Sequence, residues 1–95
     1  MAEFRIAHLR EQGQDMIIIP LDRDYGQKTD AQQNDIRYSL QVCARGAGLA
    51  GTVVPVWDAG GGRMGFLAPH QWRNYFSSIN LRIVSQSLNK VLTCG

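Results

Sequence analysis

Two short β-branched runs, "MIIIPLD" at residues 16–22 and "TVVPVW" at residues 52–57, stand on either side of a segment with helical spacing. Few folds accommodate that order. The first run is apolar and short, as a core strand is. Between the runs, Thr29-Asp30-Ala31-Gln32 has the chemistry of a capping box. The Thr29 hydroxyl can accept from the third residue's N–H, and the Gln32 amide can reach back. Behind it Ile36, Leu40, Cys43 and Ala47 recur at helical spacing, while Gln33, Asn34, Arg37 and Gln41 fill much of the other side. Gly46 and Gly48 supply a stop, because glycine tolerates the left-handed turn after a helix. The pattern predicts a helix over Asp30–Arg45.

The rest is arranged around that unit. Phe4 to Leu9 alternates imperfectly, and a polar stretch with a glycine, "REQGQD", joins it to the first β-branched run. This predicts a hairpin of Glu3–Arg10 with Asp15–Leu21. Pro20 lacks an N–H and belongs near a strand end or on an edge. Thr52–Trp57 and Arg63–Ala68 read as a second hairpin, joined through "DAGGG". Pro69 suits the first turn of a helix carrying Trp72, Tyr75, Phe76 and Ile79 on one stripe. Asn80 ends that helix and caps the next. Leu81, Val84, Leu88 and Val91 extend a 3.6-residue period, so residues 80–92 read as a helix rather than a strand, although "LRIVS" fits either. The expected fold class is α+β: two layers, a four-stranded mainly antiparallel sheet, and two to three helices on one face, in the order β-β-α-β-β-α-α. "IIIPLD" and "VVPVWD" echo each other weakly, as a duplicated ββα plan would.

Ninety-five residues make one domain, 1–95, with a thin margin of stability. Charged residues are 19% and apolar residues 44%, a balance that argues against disorder. A net charge of +2 is too small to argue for nucleic acid by itself, although Arg63, Arg73, Arg82 and Lys90 leave the last third basic. Cys43, on the apolar stripe, reads as an inert core thiol. Together with Cys94 it suggests reduced cytosolic cysteines rather than a disulfide framework. Glu3, Arg5, His8 and Arg10 interrupt any apolar leader, and no run approaches the ~20 apolar residues of a membrane span. The expected location is the cytoplasm, with no membrane partner.

"DAGGGRMGF" invites comparison with a phosphate cradle. Such cradles open onto a helix N-terminus, and here a strand-like run follows instead. The favoured reading is a hairpin turn with glycines at positive φ. The minority reading is an anion role for the loop's N–H groups with Arg63. Three glycines exceed what a turn needs, and a mobile loop beside Trp57 and Asp58 could close over a ligand. His8 and His70 have no Cys or His at metal-ligand spacing, so no metal and no cofactor is expected. Asp22, Asp24, Asp30 and Asp58 fall near element ends, where turn and cap roles are ordinary. No serine has a nucleophile-elbow context. A stripe such as Trp72, Tyr75 and Phe76 is usually core, though tryptophan also anchors interfaces. The candidate ligand or interface residues are Trp57, Asp58, Arg63, His70 and Trp72; no residue is assigned as catalytic.

The stretch "GLAGTVVPVWDAGGGRMGFLAPHQWRNYFSSINL", with "MIIIPLD" upstream, resembles small uncharacterised bacterial proteins of the mobile gene cassette, integron-associated type. The motif is Trp57-Asp58-x-Gly60-Gly61, then Arg63-Met64 and Ala68-Pro69. The resemblance implies a stand-alone bacterial accessory domain and carries over no site residue. The leading functional expectation is a small soluble non-enzymatic binding or protein-interaction module, forming a homodimer because a two-layer sheet this small leaves its edges and one face open. One alternative is a nucleic-acid-binding accessory protein using Trp72, Tyr75 and Phe76. The other is a small-molecule binder or enzyme with its pocket beside the glycine loop, lined by Trp57, Asp58, Arg63 and His70.

Overall fold

The computed structural model describes residues 2–11 and 13–94. Gln12, in the expected first turn, lies outside the described residues. The Cα radius of gyration is 12.4 Å, against about 12 Å expected of a compactly packed chain of this length.

Five strands form one mixed sheet: β1 (Ala2–Glu11), β2 (Gln14–Pro20), β3 (Thr52–Gly60), β4 (Arg63–Phe66) and β5 (Lys90–Cys94). Their spatial order is β4-β3-β2-β1-β5. Three pairings are antiparallel, and β2 with β3 is parallel. A parallel pair needs a crossover, and α1 (Asp30–Gly46) supplies it. The capping box at Thr29 is present: its hydroxyl accepts from Gln32 N at 3.2 Å, and the Gln32 side chain accepts from Thr29 N at 3.1 Å. The helix turns Leu40 and Ala44 onto the sheet, with Ile36 and Cys43 at the margin. Ala47, expected on that stripe, is instead the exposed C-cap.

Gln41 is also buried, and both ends of its amide are bonded. It donates to Gly51 O at 3.0 Å and accepts from Val53 N at 2.8 Å. One side chain thereby satisfies two backbone groups where the chain leaves the loop and enters β3.

The expectation of helices on one face is corrected. α1 covers Ile6, Ile17, Ile19, Val53 and Leu92 on one face. On the other, α2 (Arg73–Ser77) and α3 (Leu81–Ser87), preceded by a 3-10 turn at His70–Trp72, cover Ala7, Met16, Ile18, Val54 and Val56. The reason lies in the central strands. Met16 to Ile19 are buried without interruption, as are Val53 to Val56. A strand with one wet face would alternate; a continuous apolar run requires cover on both sides.

The expected helix over residues 80–92 is also corrected. Asn80 caps α3, its Oδ1 accepting from Ile83 N at 3.0 Å, as the sequence suggested. The helix ends at Leu88, whose φ of −62° and ψ of 122° are extended. Lys90–Cys94 then forms β5. β2 pairs with β1 only over Ala7–Glu11, which leaves the backbone of Ala2–Ile6 without a neighbour on either side until β5 takes that place. Backbone N–H and C=O groups need partners when covered, and this need overrides the helical period. Val91, the last residue of the expected stripe, is 60% exposed on β5.

The reduced-thiol expectation is overturned. Cys43 and Cys94 form a disulfide that joins α1 to β5, with Cα atoms 5.8 Å apart. The residues were 51 apart in sequence, and only the fifth strand brings them together. The cytoplasmic expectation loses the reduced thiols it drew on, since disulfides are rare in that compartment. Among the described residues, no helix is long and apolar enough to cross a membrane.

Candidate functional site

The glycine run is a turn. Gly61 and Gly62 link β3 to β4 with φ of 61° and 77°. Two consecutive positive φ values are those of a type I′ turn, the two-residue connection that matches the twist of a hairpin. Just before it, the register shifts between Asp58 and Gly60, so Ala59 is an extra residue. Such a bulge bends the strand and re-aims neighbouring side chains. Asp58 uses the bend: its Oδ1 accepts from Gly60 N at 2.8 Å.

Trp57 fixes what lies above this hairpin. Its cross-strand partner is Gly65. A 3-10 turn at Arg23–Gln27 crosses over the indole and places Gly26 against it. A Cβ at either glycine would collide with the ring at Nε1, on the Cδ1 side from Gly26 and on the Cε2 side from Gly65. Tyr25 adds a tilted ring contact, with centroids 5.0 Å apart. The Tyr25 hydroxyl donates to Gln33 O at 2.7 Å, and the Gln33 amide donates back to Tyr25 O at 3.1 Å. Burial raises the Tyr25 pKa above the usual phenol value, opposed by the nearby Arg37 charge. The 3-10 turn is thus fastened both to α1 and to the hairpin.

That packing delivers Arg23 to Asp58. Arg23 Nη2 lies 3.0 Å from Asp58 Oδ2. The hydrogen bond from Gly60, followed by that from Arg23, holds the Asp58 carboxyl below its ordinary range. Both carboxylate oxygens have donors, so Asp58 is a fixed anion at neutral pH and is unsuited to carrying a proton there.

Two depressions meet at this ion pair. One, of about 330 Å³, is bounded by Gly26, Gln27, Trp57, Ala59 and Gly60 as well as the pair. The other, of about 400 Å³, lies between the hairpin turn and the start of α3, where Gly61, Gly62, Arg63, Asn80, Leu81 and Arg82 join the pair. Arg23, Arg63 and Arg82 come from three separate elements and line one hollow with a single carboxylate. Among the described residues, neither Arg63 nor Arg82 forms an ion pair or a side-chain hydrogen bond.

Of the sequence candidates, Trp57, Asp58 and Arg63 come together here. His70 does not: it is exposed in the second 3-10 turn and lines neither depression. The depressions beside the glycine loop are lined without it. Trp72 is core, 8% exposed, and is not a surface anchor. Arg23 and Arg82 were missed. Asn80 was recognised as a cap, and that alone puts Arg82 in the first turn of α3. For Arg23 no signal exists, because its approach to Asp58 depends on a turn packing over Trp57. Among the described residues no His, Cys, Asp and Glu cluster could hold a metal ion.

Comparison with known proteins returns no matching family model, no matching curated relative and no matching solved structure. The reading of this site rests on its geometry.

Proposed function

We propose that this chain is a non-enzymatic binding module whose ligand is a small anionic molecule held in the cleft between the glycine hairpin and α3. The observation that carries this reading is that three arginines line one hollow with one, already bonded, carboxylate. Like charges gathered without counter-ions are unfavourable unless solvent or a ligand compensates them, and arginine forks suit carboxylates and phosphates. The glycine turn contributes by what it lacks: a Cβ at Gly61 or Gly62 would meet nothing within 4 Å, so the approach to the backbone is open.

The test is a thermal-shift titration with sodium chloride, acetate and sulfate at constant ionic strength. A ligand that binds only the folded state raises the melting temperature with its concentration. The rise is expected with an oxyanion and not with chloride, and it should be lost in Arg63→Ala and Arg82→Ala. Equal behaviour of all three salts, or no loss in the variants, would remove the proposal.

A second reading, an interaction module working as a homodimer, draws support from the two sheet edges. β4 and β5 each pair on one side only, and Val91 on β5 is exposed. Light scattering at two salt concentrations tests it: a salt-independent dimer is expected from an apolar interface. The nucleic-acid reading asked Trp72, Tyr75 and Phe76 to stack on bases. Trp72 and Phe76 are buried in the core, so that role would require them to leave it.

A further inference from the structure

Resting on the anion-binding reading above, we infer that the group this cleft selects is a dianionic phosphomonoester, held by Arg63 and Arg82 in front of the Arg23–Asp58 pair.

The charge count points to two negative charges. The charged side chains lining the hollow are Arg23, Asp58, Arg63 and Arg82. Asp58 neutralises Arg23, and its two oxygens are occupied by Arg23 Nη2 and Gly60 N. Its charge is thus already paired, and each oxygen already accepts one hydrogen bond. Two cations remain without a partner among the described residues. A carboxylate or a phosphodiester would balance one of them. A phosphomonoester carries about −1.5 to −2 charge at neutral pH and three terminal oxygens, enough for two forked donors at once.

Other ionisable groups do not alter this count. Asp22 borders a different depression, with Glu3 and Arg5. Asp24 lines neither hollow at the hairpin, and neither His8 nor His70 borders the cleft. The neighbouring depression of about 330 Å³ beside Gln27, Trp57 and Ala59 leaves room for the organic body of the ester. The selected class is thus a small soluble phosphomonoester, with the esterified group lying toward Trp57.

The experiment is an amide chemical-shift titration of the full chain with methyl phosphate, dimethyl phosphate and sulfate at fixed ionic strength. Methyl phosphate is run at about pH 7.5 and again at about pH 5, either side of its second ionisation near pH 6. Asp58, held below its ordinary value of 3.8, stays ionised at both. Methyl phosphate and sulfate are expected to shift the amides of Gly61, Gly62 and Arg82, and dimethyl phosphate to bind about tenfold more weakly. Lowering the pH should weaken methyl phosphate about tenfold, as its dianion fraction falls, and leave sulfate unchanged. Arg63→Ala and Arg82→Ala should each abolish the preference for the dianion. If dimethyl phosphate binds as well as methyl phosphate through the same arginines, the anion site stands and the dianion inference is overturned. If none of the three binds, both fail. A preference for the dianion that survives in Arg82→Ala overturns the placement.

Discussion

At one edge of the sheet β5 is fastened to α1 by a disulfide, whereas at the other edge β4 begins at a glycine turn positioned by packing and one exposed ion pair. The β5 edge has further fastenings. Asn89 donates from its backbone to Ile6 O at 2.9 Å. Its side chain accepts from His8 N at 2.9 Å and donates to His8 O at 3.0 Å. The His8 ring in turn meets Ala50 O at 2.8 Å. At the fastened edge Asn89 and His8 spend their polar groups on the chain itself. The hairpin edge leaves Arg63 and Arg82 to solvent, which screens their charge and leaves them available to a ligand.

The largest expected effect breaks the fastened edge. The double variant Cys43→Ala/Cys94→Ala should lose about 4 kcal/mol, from the entropy of an unclosed loop of this length. Denaturant unfolding with and without reductant checks it, and reduced wild type should match the variant. Anion binding at the distant hairpin should survive under conditions where the variant remains folded. If reductant leaves the midpoint unmoved, the covalent tie is not what secures β5.

The hairpin edge is expected to be more sensitive to shape than to charge. Gly65→Ala puts a methyl group into the indole of Trp57. Forcing that ring aside should cost about 1–3 kcal/mol and disturb the turn that carries Arg23. Thermal unfolding together with indole fluorescence reports both effects. If stability falls and anion affinity does not, the Trp57 packing serves the fold alone and does not position the cleft.

The contrast between edges also governs what could be read in advance. Everything specified by neighbours in sequence was legible: the Thr29 capping box, the Asn80 cap, the glycine turn and the first hairpin. The hairpin with Trp57, Asp58 and Arg63 was therefore found. What depended on distant partners was not. β5 exists because half of β1 lacked a neighbour, and the disulfide exists because β5 does. The uninterrupted burial of Met16–Ile19 did carry the news that both faces are covered, since a half-wet strand would alternate. That signal was present and outweighed by the expectation of two layers. Arg23 reaches Asp58 across 35 positions through a turn packed on Trp57, which no local pattern encodes.

A smaller effect sharpens the account of the β5 edge. Asn89→Ala removes both side-chain hydrogen bonds to His8, which should cost about 1 kcal/mol because the site is partly open to water. Hydrogen exchange should accelerate over Lys90–Cys94 and the paired half of β1, and not in β3 or β4. Exchange that rises evenly over the sheet would mean the two edges are not separate units.

The smallest effect concerns Asp58, and its sign distinguishes charge from shape. Its folded-state pKa lies below 3.8 because of Gly60 first and Arg23 second. A depressed carboxyl contributes stability that is present above its unfolded pKa and is lost as pH falls through the folded value. Asp58→Asn should therefore lower the denaturation midpoint slightly at neutral pH, and the gap from wild type should close below pH 3.8. Added salt should narrow the gap as well, because the pair is exposed and screened. Tyr25 works in the opposite direction. Its raised pKa gives stability that is present below pH 10 and lost as pH rises through the folded value. Asp58→Asn should leave that alkaline limb untouched. If instead the variant's deficit persists in acid, the charge of Asp58 is not what stabilises the bulge at Ala59. The hairpin edge would then be held by geometry alone, with Arg23 released to join Arg63 and Arg82 as a third free cation.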